Sequence, residues 1–245
     1  MKHIRERICI NSEPISEELF TTCFFEVWDK LPDHATPALD IPRYLQLLAL
    51  LSFHVFAKEK VDVAIYETHF GGEFDATNVI RAPIITAVTS ITMDHVRLLG
   101  PTIENIAWHK AGIFKSGSIA FSTLQENAVT TVLQQRAAEK GVMLEFVGID
   151  STLPIDATAL KPKVQRINCS LALAAVRAWL SLKAPEAQGY TKDFLACGIK
   201  QFLCLGRYQQ INDRNCQWFL DGAHNELSLQ LAVQWFAKTV SEDEK

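Results

Sequence analysis

The run VDVAIYE, residues 61–67, closes on Glu67 and opens at once into T-H-F-G-G-E-F-D-A-T-N. A short, mostly apolar run that ends on an acid and then on paired glycines reads as a buried strand, its C-terminal end in the crevice where α/β sheets bind ligands. Residues 83–95 repeat the arrangement, because PIITAVTSI has the composition of a second buried strand and leads into T-M-D-H. Neighbouring strands over 61–67 and 84–91 would present Glu67 and His95 to one crevice. A hard carboxylate beside an imidazole suits a divalent cation that holds phosphates.

Around this junction, helix and strand patterns alternate. YLQLLALLSFHVFA, residues 44–57, falls short of the roughly 20 apolar residues a bilayer demands. It reads as a core helix, with Asp40 and Pro42 as cap and first-turn residues and Lys58 and Lys60 closing it. TIENIAWHKAGIF begins on a cap-like Thr102 and carries Ile103, Ile106 and Ala107 at helical spacing. SIAFST is a strand pattern, NAVTTVLQQRAAEKG a helix ended by Gly141, and MLEFVGI a further strand. After a Pro-, Thr- and Asp-rich surface crossing at 150–163 comes the long amphipathic helix QRINCSLALAAVRAWLSL. At LGRYQQINDRNCQWFLDGAHN the composition shifts again. The predicted fold is a three-layer α/β domain with a mainly parallel sheet over residues 1–205, followed at 206–245 by the start of a second, Rossmann-like α/β domain.

Of the 245 residues, 48% are hydrophobic and 21% charged, with a net charge of -4. That balance suits a soluble globular protein and argues against a nucleic-acid partner, so an anionic substrate would need local cationic or metal help. The six cysteines include no C-x-x-C pair, which points to reduced thiols and no disulfides. No basic and apolar leader opens the sequence. The expectation is a cytoplasmic monomer without a membrane partner.

Six segments in this order, RERICINSEPISEELF, ETHFGGEFDATN, TSITMDH, HKAGIFKSG, LGRYQ and LDGAHN, resemble the folylpolyglutamate synthase and dihydrofolate synthase branch of the Mur ligase superfamily. The resemblance has a eukaryotic, fungal flavour in ENIAWHKAGIFKSG and also allows a mitochondrial form. It implies a three-layer Mur-ligase central domain and ATP-driven amide formation. In that chemistry a folate-like carboxylate is phosphorylated, and the amine of L-glutamate displaces phosphate from the acyl phosphate. The implied cofactors are ATP and Mg2+, with Glu67 and His95 as metal ligands. Lys110 resembles the lysine that the superfamily carbamylates, Asp75 the acid near the pterin, and Asn168 the adenine contact. Arg207 resembles the cation on ATP phosphate, Asp221 the acid near the ribose, and His224 a residue facing the phosphates.

Taken singly, these residues admit plainer roles. Glu67 can cap its loop, His95 a helix, and Lys110 can be a solvated surface lysine. Asp75, Thr77 and Asn78 can be turn residues, Asn168 an N-cap, Arg207 and Asp221 exposed surface groups, and His224 a cap for the helix near Asn225. The sequence also departs from the family pattern. No G-x-x-x-x-G-K-[ST] phosphate loop occurs in it, Thr68 and His69 replace a Val-Gly pair, and Glu73 stands where an arginine is usual. Residues 1–245 alone are therefore expected to turn over ATP poorly or not at all. The alternatives are a divergent or inactive family remnant, or a ligase for another carboxylate in specialised metabolism.

Overall fold

The computed structural model describes residues 3–31, 41–202 and 204–243. They form two compact units, Met1–Ile80 and Arg81–Lys245.

In the first unit, β1 (Cys9–Ile10) pairs antiparallel with β2 (Glu13–Pro14) across left-handed Asn11 and Ser12. Helix α1 (Glu17–Trp28) starts where the Ser16 side chain accepts from Leu19 N, and Glu17 and Glu18 sit at the positive end of its dipole. Helix α2 (Tyr44–Lys58) packs on it, and Ile8, Ile15, Cys23, Leu48, Leu51 and Val55 form the core between them. The expected helix over 44–57 is present. Lys60 takes φ 52° and Val61 N donates to Phe56 O at 3.2 Å, a left-handed cap in which the lysine does what glycine usually does. Asp40, expected to cap the start, lies outside the described residues.

Residues 61–67 form no strand. Ile65 is 88% exposed, and the segment is anchored by Tyr66, whose ring lies 4.8 Å from that of Phe53 and 5.7 Å from that of Phe56 on α2. A strand exists only through its ladder, and the described residues of this unit supply no pairing partner beyond β1 and β2, which pair with each other. The expectation of paired strands over 61–67 and 84–91 is thereby corrected.

The second unit carries the sheet. Strands β3 (Ile85–Val88), β4 (Ile119–Thr123) and β5 (Met143–Val147) run parallel in the order β3-β4-β5, with Ile85 opposite Ile119 and Ile119 opposite Met143. Between β3 and β4 lie α3 (Val96–Leu99) and α4 (Ile103–Lys110), and between β4 and β5 lies α5 (Asn127–Glu139). Consecutive residues Ala120 to Thr123 are all buried, so both faces of the central strand are covered, as a parallel sheet requires. Helix α6 (Lys163–Lys183) packs on all three strands. Gly141 ends α5 at φ 62°, where Val142 N donates to Ala137 O at 2.8 Å. This is the α/β architecture that the alternating patterns predicted.

One local expectation changes. The 150–163 segment does more than cross the surface, because Leu153 and Leu160 are buried with Leu173 of α6 and Ile199 of α7 (Thr191–Gln201). The final strands, β6 (Gln209–Asp213) and β7 (Cys216–Leu220), form a separate antiparallel hairpin ahead of α8 (Glu226–Asp243). No described helix is long and apolar enough to cross a membrane, and all six cysteines are free.

Candidate active site

Beyond the end of β3 the chain is held by one side chain. Gln125, just past β4, donates from Nε2 to Thr89 O at 2.9 Å and accepts at Oε1 from Ile91 N at 3.0 Å. A side-chain amide thus continues the ladder where backbone pairing stops and delivers Asp94 and His95 to the strand end. His95 takes φ 52° and ψ 32°, the left-handed region, and Asp94 Oδ1 accepts from its backbone N–H at 2.8 Å. For a non-glycine residue that conformation costs roughly 1–2 kcal/mol and persists only where the surroundings impose it. His95 occupies the N-cap position of α3, but its side chain makes no cap bond, so the plain capping role does not describe the ring.

Asp94 is the hub. Its Oδ2 lies 3.8 Å from His95 Nε2 and 3.5 Å from His224 Nε2. It also attracts the ammonium of Lys110, the last residue of α4. Burial pushes the Lys110 pKa below that of an ordinary lysine, and the attraction of Asp94 opposes the shift without cancelling it. Its neighbours Ile106, Ala107 and Ala111 are fully buried, so Lys110 is not a solvated surface lysine. The helix that carries it begins where Thr102 Oγ1 accepts from Asn105 N at 3.3 Å, the cap expected from the sequence.

The LGRYQ and LDGAHN segments meet because β6 and β7 form a hairpin that pairs Gln209 with Leu220. Asp221 accepts from Tyr208 N and from Ala223 N, each at 2.8 Å, and so ties the segments together. Arg207 lies against Gly222 so closely that a Cβ there would collide with its guanidinium. His224 Nδ1 is 2.9 Å from Gly222 O, which orients the ring whose Nε2 faces Asp94. Arg207 also lines a cavity of about 990 Å3 with Lys161, Lys163, Lys200 and Lys238, and no acid is among its described lining residues.

The remaining candidates stand elsewhere. Asn168 lies inside α6 and is not an N-cap; it lines a largely apolar cavity of about 620 Å3 with Leu173, Phe194 and Phe202. In the first unit Glu67 is exposed. Asp75 accepts from His69 N, Phe70 N, Thr77 N and Thr77 Oγ1 at 3.0, 2.9, 2.9 and 2.7 Å. A carboxylate offers about four acceptor sites. Any substrate amine at Asp75 would have to share them with its own turn. His69 accepts at Nε2 from Arg7 Nη1 at 2.9 Å, a contact that a glycine at this position could not make. Sequence reasoning passed over Asp94, although T-M-D-H displayed it, and Gln125, for which no spacing gives a signal.

No family model matches the chain. Among curated proteins it is 41% identical to "Folylpolyglutamate synthase" of Neurospora crassa, over 96% of this chain and 46% of that protein. It is 39% identical to "Probable folylpolyglutamate synthase" of Schizosaccharomyces pombe (99% and 49%) and 35% identical to "Folylpolyglutamate synthase, mitochondrial" of Homo sapiens (99% and 45%). The chain is a homologue of the folylpolyglutamate synthases. It spans about half the length of these relatives. Among solved structures, this folylpolyglutamate synthase homologue superposes on the apo form of L. casei FPGS with a TM-score of 0.82 at 23% identity, covering 97% of this chain and 62% of that one. The Mycobacterium tuberculosis folylpolyglutamate synthase complexed with ADP and AMPPCP gives 0.78 at 26% identity, covering 95% and 57%. Its α/β fold is thus of the Mur-ligase type.

Proposed function

We propose that this chain is the metal- and phosphate-handling part of an ATP-dependent ligase that joins L-glutamate to a folate-like carboxylate. The observation that carries the reading is the convergence of His95, Lys110 and His224 on Asp94. Relatives named folylpolyglutamate synthase, and an FPGS structure described as an AMPPCP-folate complex, support the substrate class. Residues 1–205 are read as the central ATPase domain and 206–245 as the opening of the glutamate-ligase domain.

The reaction needs little covalent help from protein. A carboxylate oxygen attacks the terminal phosphorus of ATP, ADP leaves, and the glutamate amine then attacks the acyl carbon and expels phosphate. Catalysis of this kind is positioning plus neutralisation of phosphoryl charge. Arg207, held over Gly222, offers a planar fork of donors to phosphate oxygens, and the cations around its cavity supply further positive field. Asp221, fixed by two backbone N–H groups, keeps acceptor capacity for a ribose hydroxyl. Asn168 borders an apolar cavity suited to a flat base.

The donor chemistry fits magnesium, which takes one or two carboxylates, keeps several waters and accepts phosphate oxygens. Asp94 is a carboxylate beside the proposed ligand His95. When bound, the ion would neutralise charge on the phosphates. Burial shifts Lys110 toward the unprotonated amine that reacts with carbon dioxide, which supports the carbamylation reading. The contact of His224 Nδ1 with Gly222 O, which orients the ring, supports a role for His224 toward the phosphates.

The test joins residues 1–245 to the remaining length of a full-length relative and measures ATP hydrolysis that depends on both folate and glutamate. The reading expects activity in the hybrid and a loss of roughly a hundredfold or more in Lys110→Met. An inactive hybrid would favour the inactive-remnant reading. Activity with another carboxylate but not folate would assign the chain to specialised metabolism.

A further inference from the structure

A second cluster of donors lies in the first unit, on residues to which the ligase reading gives no role. Cys23 and Glu26 are three residues apart on one face of α1, and His54 faces them from α2. The Cys23 Sγ, a Glu26 carboxylate oxygen and a His54 ring nitrogen all lie within 4.8 Å of one another. We propose that Cys23, Glu26 and His54 form a binding site for a borderline-soft divalent cation of the zinc type.

The donor set argues for this class of ion. Thiolate, imidazole and carboxylate together are ligands that zinc accepts tetrahedrally, whereas magnesium and calcium avoid sulfur. Zinc-ligand bonds of about 2.0–2.3 Å place neighbouring donors about 3.3–3.8 Å apart, so small side-chain rotations complete the site. Cys23 is fully buried, while the side chains of His54 and Glu26 are 30% and 38% exposed, which leaves the fourth position on the solvent side. Lys58, one turn beyond His54, donates to Glu26 Oε1 at 2.6 Å while His54 Nε2 lies 2.5 Å from Oε2. The carboxylate therefore has one oxygen held from behind and the other turned to the imidazole, the outer-shell arrangement that orients metal ligands. Burial pushes the Cys23 thiol pKa up and the charge of Lys58 opposes the shift. The incoming cation displaces the thiol proton to solvent and bonds the sulfur as thiolate.

Cobalt(II) is the probe, added to reduced residues 1–245. The expected result is a thiolate-to-cobalt charge-transfer band with the visible bands of a tetrahedral ion, all abolished by added Zn2+. Cys23→Ser should lose the charge-transfer band, and His54→Gln should weaken binding about tenfold or more. No band in the parent, or a band that survives Cys23→Ser, would show that the cluster is an interhelical ion pair and nothing more. Should Cys23→Ser fail to fold, an unchanged cobalt affinity in His54→Gln would overturn the proposal equally. None of these readouts involves ATP or folate, so failure here leaves the ligase reading untouched.

Discussion

Lys110 concentrates the cost of function in one side chain. An amine carried into a buried position is destabilising in its charged form, and one attraction from Asp94 does not restore an ordinary pKa. Lys110→Met keeps the length and removes the charge, and it is expected to raise Tm by about 2–4 °C while abolishing hybrid ligase activity. A scanning calorimetry trace with Tm unchanged or lowered would show that the lysine is structurally satisfied. Asp75 makes the opposite case. Burial pushes its carboxyl pKa up, but the Thr77 hydroxyl and the N–H groups of Thr77, Phe70 and His69 together pull it below 3.8. A carboxyl depressed in the fold adds stability above its unfolded pKa and loses it as pH falls through the folded value. Asp75→Asn should therefore be less stable than the parent by about 1 kcal/mol at neutral pH, after allowance for solvent screening of a half-exposed loop. That gap should close as pH falls through the depressed pKa of the folded carboxyl. Urea unfolding of both proteins across that range measures it, and a gap independent of pH would exclude the charge as its source.

At the scale of elements, the hairpin loop depends on one glycine. Gly222→Ala puts a methyl group where the Arg207 guanidinium lies, and Arg207 must move. Nucleotide affinity of the hybrid enzyme is expected to fall about tenfold with the fold intact, since one charge-assisted contact of about 1.5 kcal/mol is lost. Equal affinity in calorimetric titration would remove Arg207 from the phosphate site. Much of this layer was legible in advance. The β4-α5-β5 order and the closure of α5 at Gly141 followed from apolar runs and turn residues. So did the Thr102 cap, because each is set by neighbours a few residues away. The run at 61–67 was misread because composition does not distinguish a laddered strand from an extended segment pinned by one aromatic residue, here Tyr66. Gln125 was invisible because its partners lie 34 and 36 residues away. His95 was singled out by its place after an apolar run, and Lys110 and His224 by resemblance, but the carboxylate that gathers them emerges only in three dimensions.

For the whole molecule, the second unit contains the sheet, the Asp94 cluster and the Arg207 loop, and the first contains Glu67, Asp75 and the Cys23, Glu26 and His54 cluster. The proposal that the Asp94 cluster handles the phosphates of a nucleotide is tested most directly by binding. Among the described histidines, His95 and His224 are placed on Asp94. Titration of residues 1–245 with magnesium and AMPPCP, followed by the ring resonances of assigned histidines, should shift these two together and leave His3 and His54 in place. Asp94→Asn should perturb the same pair without any nucleotide. Resonances of His95 and His224 that stay fixed at saturating nucleotide, or that shift no more than those of His3 and His54, would contradict the account.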